Sequence, residues 1–194
     1  MKKAAIVLSM MLVILNAPAQ NQKDSIDLLN RLEIFYKSNE SLDYEKMLDF
    51  MYPKIFTLSS REETKASIEN TFNNEELSMK MDSLKTIEIF PFFSVDSGRY
   101  VRITYSMNLI MSYKKSSDDS SQMKNLLEIM QGQFGKENAR LNETGKSLML
   151  LQKVDMAAIK DNLSPEWTFL NLTKDDPMLE MILSKEIISR FYPN

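Results

Sequence analysis

Between residues 24 and 73 apolar side chains recur at spacings of three and four, the period of a helix with one buried face. Leu28, Leu29, Leu32, Phe35 and Tyr36 form the first such stripe. A second, Tyr44, Met47, Leu48, Met51 and Tyr52, begins after Asp43, whose short carboxylate suits an N-cap. Pro53 stops it, because proline has no amide hydrogen to continue the ladder. Ser60 and Glu63 stand three apart as in a capping box and predict a third helix from there to about Asn73.

The period then falls to two. Leu77, Met79 and Met81 alternate with Ser78, Lys80 and Asp82, and Ile87 and Ile89 continue past an irregular stretch. Asp96-Ser97-Gly98 predicts a turn. Beyond it Val101, Ile103, Tyr105, Met107, Leu109, Met111 and Tyr113 take every odd position, while Arg102, Thr104, Ser106, Asn108 and Ser112 take even ones. One face of this strand is expected to be buried, and its length exceeds an ordinary sheet width, so it must curve or bulge. A polar loop from Ser116 to Ser121 leads to another helix carrying Met123, Leu126, Leu127, Met130 and Phe134. Strands are predicted near Glu137–Glu143 and Ser147–Lys160 around a turn at Thr144-Gly145, and a last one at Trp167–Leu172. Asp176-Pro177 then opens a C-terminal helix expected to reach about Phe191. Three helices, two strands, one helix, three strands and one helix make an α+β fold, with helices expected on one face of a curved antiparallel sheet.

The first residues belong to a different pattern. Lys2 and Lys3 precede an apolar run from Ala4 to Leu15, broken only by Ser9, and Ala17-Pro18-Ala19 offers small side chains before the polar Gln20-Asn21-Gln22-Lys23. This is the layout of a signal peptide over residues 1–19, cleaved after Ala19, and the run is too short for a transmembrane anchor. A single domain over residues 20–194, exported to the periplasm or secreted, is the expectation. No Cys follows, so neither lipidation nor disulfides contribute, and the domain must rely on its core. The net charge of −3 becomes −5 once Lys2 and Lys3 leave, which argues against phosphate-backbone binding. With four Gly in total there is no glycine-rich loop to cradle a phosphate, and no repeat divides the chain.

Residue types narrow the chemistry. The sequence holds no His and no Cys, which removes the usual base near neutral pH, the thiolate nucleophile and the best transition-metal ligands. Glu62-Glu63, Glu75-Glu76, Asp118-Asp119 and Asp175-Asp176 fall at predicted element ends, where acids cap helices, and adjacent residues do not share a face as a catalytic dyad would. Thioethers bind Cu(I), but Met47, Met51, Met79 and Met81 all lie on predicted core stripes where Met is a filler. No catalytic residue, metal or cofactor is assigned.

Phe35-Tyr36, Leu42-Asp43-Tyr44, Leu48, Tyr52-Pro53, Phe56 and Ser60-Arg61-Glu62-Glu63 resemble the opening of nuclear transport factor two-like domains, also called SnoaL-like or ketosteroid-isomerase-like. Trp167-Thr168-Phe169 resembles their closing strand. The resemblance implies a cone: a strongly bent, cystatin-like sheet wrapped around the N-terminal helices, enclosing an apolar cavity that members use as enzyme pocket, binding site or plain core. The helix at 120–134 and the C-terminal helix depart from that pattern and would plug or lid the cavity. Isomerase members use a carboxylate base with a Tyr and an acid as oxyanion donors, and no spacing here matches that set.

Two readings follow. One is a non-catalytic exported domain that binds a small apolar molecule or a protein partner through the cone mouth or outer sheet face, with Phe35, Tyr36, Tyr52, Phe56, Tyr105 and Trp167 as candidate pocket residues. The alternative is a cofactor-free isomerase, lyase or hydrolase working with a carboxylate and a Tyr in the same cavity. A buried carboxylate beside Tyr36 or Tyr105 would favour the enzyme; a cavity filled by its own side chains would leave a partner-binding surface. A homodimer through the sheet face is compatible with either. Neither nucleic acid nor, after cleavage, a membrane is expected as partner.

Overall fold

The computed structural model of the protein describes residues 22–114 and 120–192; the expected leader and residues 115–119 of the expected polar loop lie outside them. The chain divides into two compact units at Ile34/Phe35. Residues 22–40 are helical (α1), and the second unit, Phe35–Asn194, holds all other described elements. These are α2 (Tyr44–Asp49), a 3-10 helix (Pro53–Thr57), α3 (Arg61–Phe72), β1 (Leu77–Ile89), β2 (Phe93–Val95), β3 (Gly98–Tyr113), α4 (Ser120–Phe134), β4 (Ala139–Leu141), β5 (Ser147–Lys160), β6 (Thr168–Leu172), α5 (Pro177–Ile182) and α6 (Lys185–Phe191).

Local chemistry accounts for the boundaries. Asp43 accepts a hydrogen bond from the Lys46 amide and starts α2. At α3 the Ser60 hydroxyl accepts from the Glu63 amide while the Glu63 carboxylate accepts from the Ser60 amide, closing the expected capping box. Asp176 caps α5 ahead of Pro177. Two expectations need correction. The stripe through Met51 and Tyr52 is not helical: α2 ends at Asp49 with Phe50 as its C-cap, and Met51 bridges to Phe169 of β6, with the Tyr52 amide donating to Phe169 O and the Phe169 amide to Phe50 O. The single C-terminal helix is two. Leu183 adopts an extended conformation, and the Ser184 hydroxyl accepts from the Ile187 amide to start α6 afresh.

The sheet is six-stranded, antiparallel and curled. β3 and β5 form its centre, paired from Arg99↔Lys160 to Ser112↔Ser147. β1 and β2 lie along the free side of β3, and β4 and β6 along opposite ends of the free side of β5. β3 itself pairs regularly with β5, and the bulges fall on β1, at register shifts between Asp82 and Lys85 and between Thr86 and Glu88. The first holds Ser83 at φ +56°, the second leaves Ile87 exposed; each extra residue bends the edge strand and sharpens the local twist.

Paired residues of an antiparallel sheet share a face. The odd positions of β3 therefore lie with Met156 and Ala158 of β5 and Phe169 of β6, and the even ones with Ala157, Ile159, Leu170 and Leu172. Val101, Ile103, Tyr105 and Met111 are buried, as the alternation predicts. Toward the end near Tyr113 the odd face packs against α4, where Met123, Leu126, Leu127 and Met130 meet Leu109, Met111, Leu148 and Leu150. The helices are not confined to that face. Leu179, Ile182, Leu183, Ile187 and Phe191 of the C-terminal segment cover the even face around Tyr100, Ala157, Ile159, Leu170 and Leu172. The C-terminal helices are thus a second cover for the sheet rather than a lid over its odd face. Full burial of a side chain the size of Phe191 contributes roughly 1.5–3 kcal/mol, which explains why the chain folds back this far.

Candidate functional site

On the odd face, the last turns of α1 bring Phe35 and Tyr36 over the sheet. The Phe35 ring lies 4.7 Å from Phe169, 5.9 Å from Phe50 and 5.8 Å from Tyr36. Tyr36 continues to Tyr105 at 5.8 Å, and Phe50 to Phe169 at 6.1 Å. Centroid separations of this size, mostly in tilted or edge arrangements, are those aromatic pairs adopt when packed against one another. The Tyr36 hydroxyl is 2.8 Å from Thr86 Oγ1, and Thr86 sits opposite Tyr105 in the register of β1 and β3. Burial pushes both phenols above their ordinary range, with neighbouring Tyr36 adding to the effect on Tyr105. At neutral pH both are therefore un-ionised donors.

Three of the six residues expected to line a pocket come together here: Phe35, Tyr36 and Tyr105. Phe50 and Phe169 join them; Phe169 stands in the Trp167-Thr168-Phe169 stretch of the predicted last strand, and nothing local marks Phe50. The other three lie elsewhere. Tyr52 is buried in the cluster under α5 and α6, and its hydroxyl donates to Asp161 Oδ2 at 2.7 Å. Asp161 Oδ1 accepts from the Leu163 and Ser164 amides, so Tyr52 anchors the link between β5 and β6. Phe56, in the 3-10 helix, carries the Arg61 guanidinium 5.8 Å from its ring centre. Trp167 is buried with its ring 5.8 Å from Phe92 and Lys160 Nζ 5.8 Å from its centre.

The even face has a different character along its length. A polar row separates its two ends. Arg102 stacks on Phe90 at 3.7 Å and donates to Phe191 O, and the Thr104 hydroxyl donates to Asp155 Oδ1. On one side of that row lie α5 and α6. On the other, Ser106, Asn108, Ile110 and Ser112 of β3 are half-exposed beside Met149, Leu151 and Lys153 of β5, with Lys80, Asp82 and Lys85 on β1 and Arg140 on β4. Leu151 is 43% exposed. At the gap left on the edge of β5 between β4 and β6 there is an open groove of about 450 Å³, lined by Phe134, Glu137, Asn138, Leu151, Gln152 and Lys153. The sequence alone points to none of these residues as a site, because Ile110, Met149 and Leu151 lie inside the apolar runs 109–111 and 148–151, which read as buried strand, and their exposed grouping arises only across strands.

Among the described residues no group of three or more Asp, Glu, His or Cys is arranged to hold a metal ion, and no helix is long and apolar enough to cross a membrane. No family model, curated protein or solved structure matches this chain.

Proposed function

We propose that this protein is an exported, non-catalytic domain of the nuclear transport factor two-like cone type, which binds a protein partner at its surface while its aromatic interior serves as core. One observation carries the reading: the rings of Phe35, Tyr36, Phe50, Tyr105 and Phe169 spend their faces and edges on one another. A pocket for an apolar ligand would present those surfaces to the ligand instead. An isomerase-like site would set a carboxylate against a phenol in this place. Here Tyr36 shares its hydroxyl with Thr86, and the ring of Tyr105 lies 5.8 Å from that of Tyr36. The curled antiparallel sheet, its bulged edge strand and the helices that precede it support the cone, and the charge and hydropathy layout of residues 1–19 supports export.

Native mass spectrometry of the protein purified from its own host tests all of this in one spectrum. The expected mass is that of a chain beginning at Gln20 and carrying no small molecule, with a second protein retained under gentle conditions. A stoichiometric small-molecule adduct overturns the surface reading, and a chain that keeps its first 19 residues overturns export.

A further inference from the structure

The open part of the even face has a charge pattern at odds with the rest of the chain. Acidic residues outnumber basic ones 27 to 24 overall. Across this face, however, the strand register aligns Lys80, Ile110, Met149 and Arg140 in one row, Asp82, Asn108 and Leu151 in the next, and Lys85, Ser106 and Lys153 in a third. Ile110, Met149 and Leu151 form an apolar strip between four cationic side chains; against these stand two carboxylates, Asp82 in the middle row and Glu137 on the groove wall, with Glu88 in the row beyond Lys85. The four cations make no ion pair among the described residues. Within the patch, the Arg140 guanidinium donates to Met149 Sδ at 3.4 Å. At the edge of β5 the strip turns into the groove between Phe134, 42% exposed, and Leu151.

Resting on the surface reading above, we propose that this patch docks an acidic protein partner, which seats an apolar side chain against Leu151 and the groove and sets carboxylates opposite Lys80, Lys85, Arg140 and Lys153. Charge decides the occupant. A cationic rim around a modest apolar centre attracts negative charge over distances of about a Debye length, roughly 8–10 Å in physiological salt, and repels basic partners. Its apolar groups lie flush in a sheet rather than projecting as a wedge, which suits a protein surface better than insertion into a bilayer. Four strands at about 4.8 Å spacing make the patch only about 14 Å wide, well short of a standard interface, so the complex is a salt-sensitive, dissociable one.

The test uses the full chain in its own host, with the photo-reactive residue benzoylphenylalanine in place of Leu151. The expected result is a cross-link to one identified protein of acidic surface, reduced at least ~tenfold by Lys80→Glu with Lys153→Glu and by raised salt during irradiation of the purified complex. Lys174→Glu with Lys185→Glu, both exposed beside α5 and α6, is the charge-matched control and leaves the cross-link unchanged. Adducts to lipid, to a second copy of this chain, to a basic protein, or none at all overturn the proposal, as does a cross-link indifferent to the double charge reversal. Native mass spectrometry separates this failure from failure of the broader reading. A partner retained by both the wild type and the double variant leaves surface binding standing and removes this patch, whereas a bound small molecule removes the broader reading.

Discussion

Tyr52 and Tyr105 show how differently the same side chain serves on the two faces of one sheet. Both are buried, but Tyr52 donates to a carboxylate that itself holds two loop amides, whereas Tyr105 sits in a ring cluster beside Tyr36. Removing only the hydroxyl of Tyr52 leaves Asp161 without its side-chain donor. Tyr52→Phe is therefore expected to destabilise the fold by about 1.5–3 kcal/mol in urea unfolding, the range for a bond to a charged group. The pH response follows from the same burial. The phenols of Tyr36, Tyr52, Tyr100, Tyr105 and Tyr192 are all raised above the ordinary value, burial being the largest cause in each. A group whose folded pKa is raised binds its proton more tightly in the native state, so its contribution is complete below the unfolded value near 10 and is lost as pH rises past it. The urea midpoint should fall above about pH 10, and phenolate absorbance should rise together with loss of structure. Full ionisation of the phenols in a chain that keeps its fold would contradict this.

At the level of elements, legibility tracked how local the deciding interaction is. The capping box at Ser60 and Glu63, the Asp43 cap, the Asp176-Pro177 start and the long alternation of β3 each depend on residues within a few positions of one another, and each appears where the pattern placed it. Phe50–Tyr52 reads as a continuation of α2, yet its backbone pairs with Phe169 more than a hundred residues away, and no local pattern contains that partner. The break at Leu183–Ser184 was missed for a related reason. The apolar stripe runs on through it because both short helices pack on the same sheet face. β2 is three residues long and exists because the Asp96-Ser97 turn returns it onto Gly98–Tyr100. The irregular stretch noted in β1 became two bulges, and the first holds Ser83 at φ +56°, where a side chain is disfavoured and glycine is not. Ser83→Gly should leave the unfolding free energy unchanged or raise it by up to about 1 kcal/mol, read from the urea midpoint. A loss above 1 kcal/mol would contradict this, since it would mean that the Ser83 hydroxyl contact to Asp82 outweighs the backbone strain.

For the whole molecule, the alternation along β3 correctly divided one face of the sheet from the other, but it said nothing of what covers each. The odd positions Val101, Ile103, Tyr105 and Met111 are buried, Tyr105 against the ring of Tyr36 and Met111 with α4. Even positions are sealed by α5 and α6 only as far as the Arg102 and Thr104 row. Of the six candidate site residues, three met because they lie on two elements whose facing stripes were visible. Tyr52, Phe56 and Trp167 did not, because an aromatic residue at an element end gives no sign of which cluster it joins. The patch around Leu151 was invisible for the complementary reason: it is assembled across four strands whose register no single segment encodes.

The central claim is that one sheet face is closed under α5 and α6 at one end and open at the other. Because the chain contains no cysteine, a single introduced thiol reports on one place alone. Labelling rates of Leu170→Cys, beneath α5 and α6, and Leu151→Cys, on the open part, measure the difference directly. The account expects Cys at 151 to react at nearly the rate of a free thiol and Cys at 170 to react only as fast as the protein unfolds. Equal protection at both positions, or a reactive thiol at 170, would contradict it.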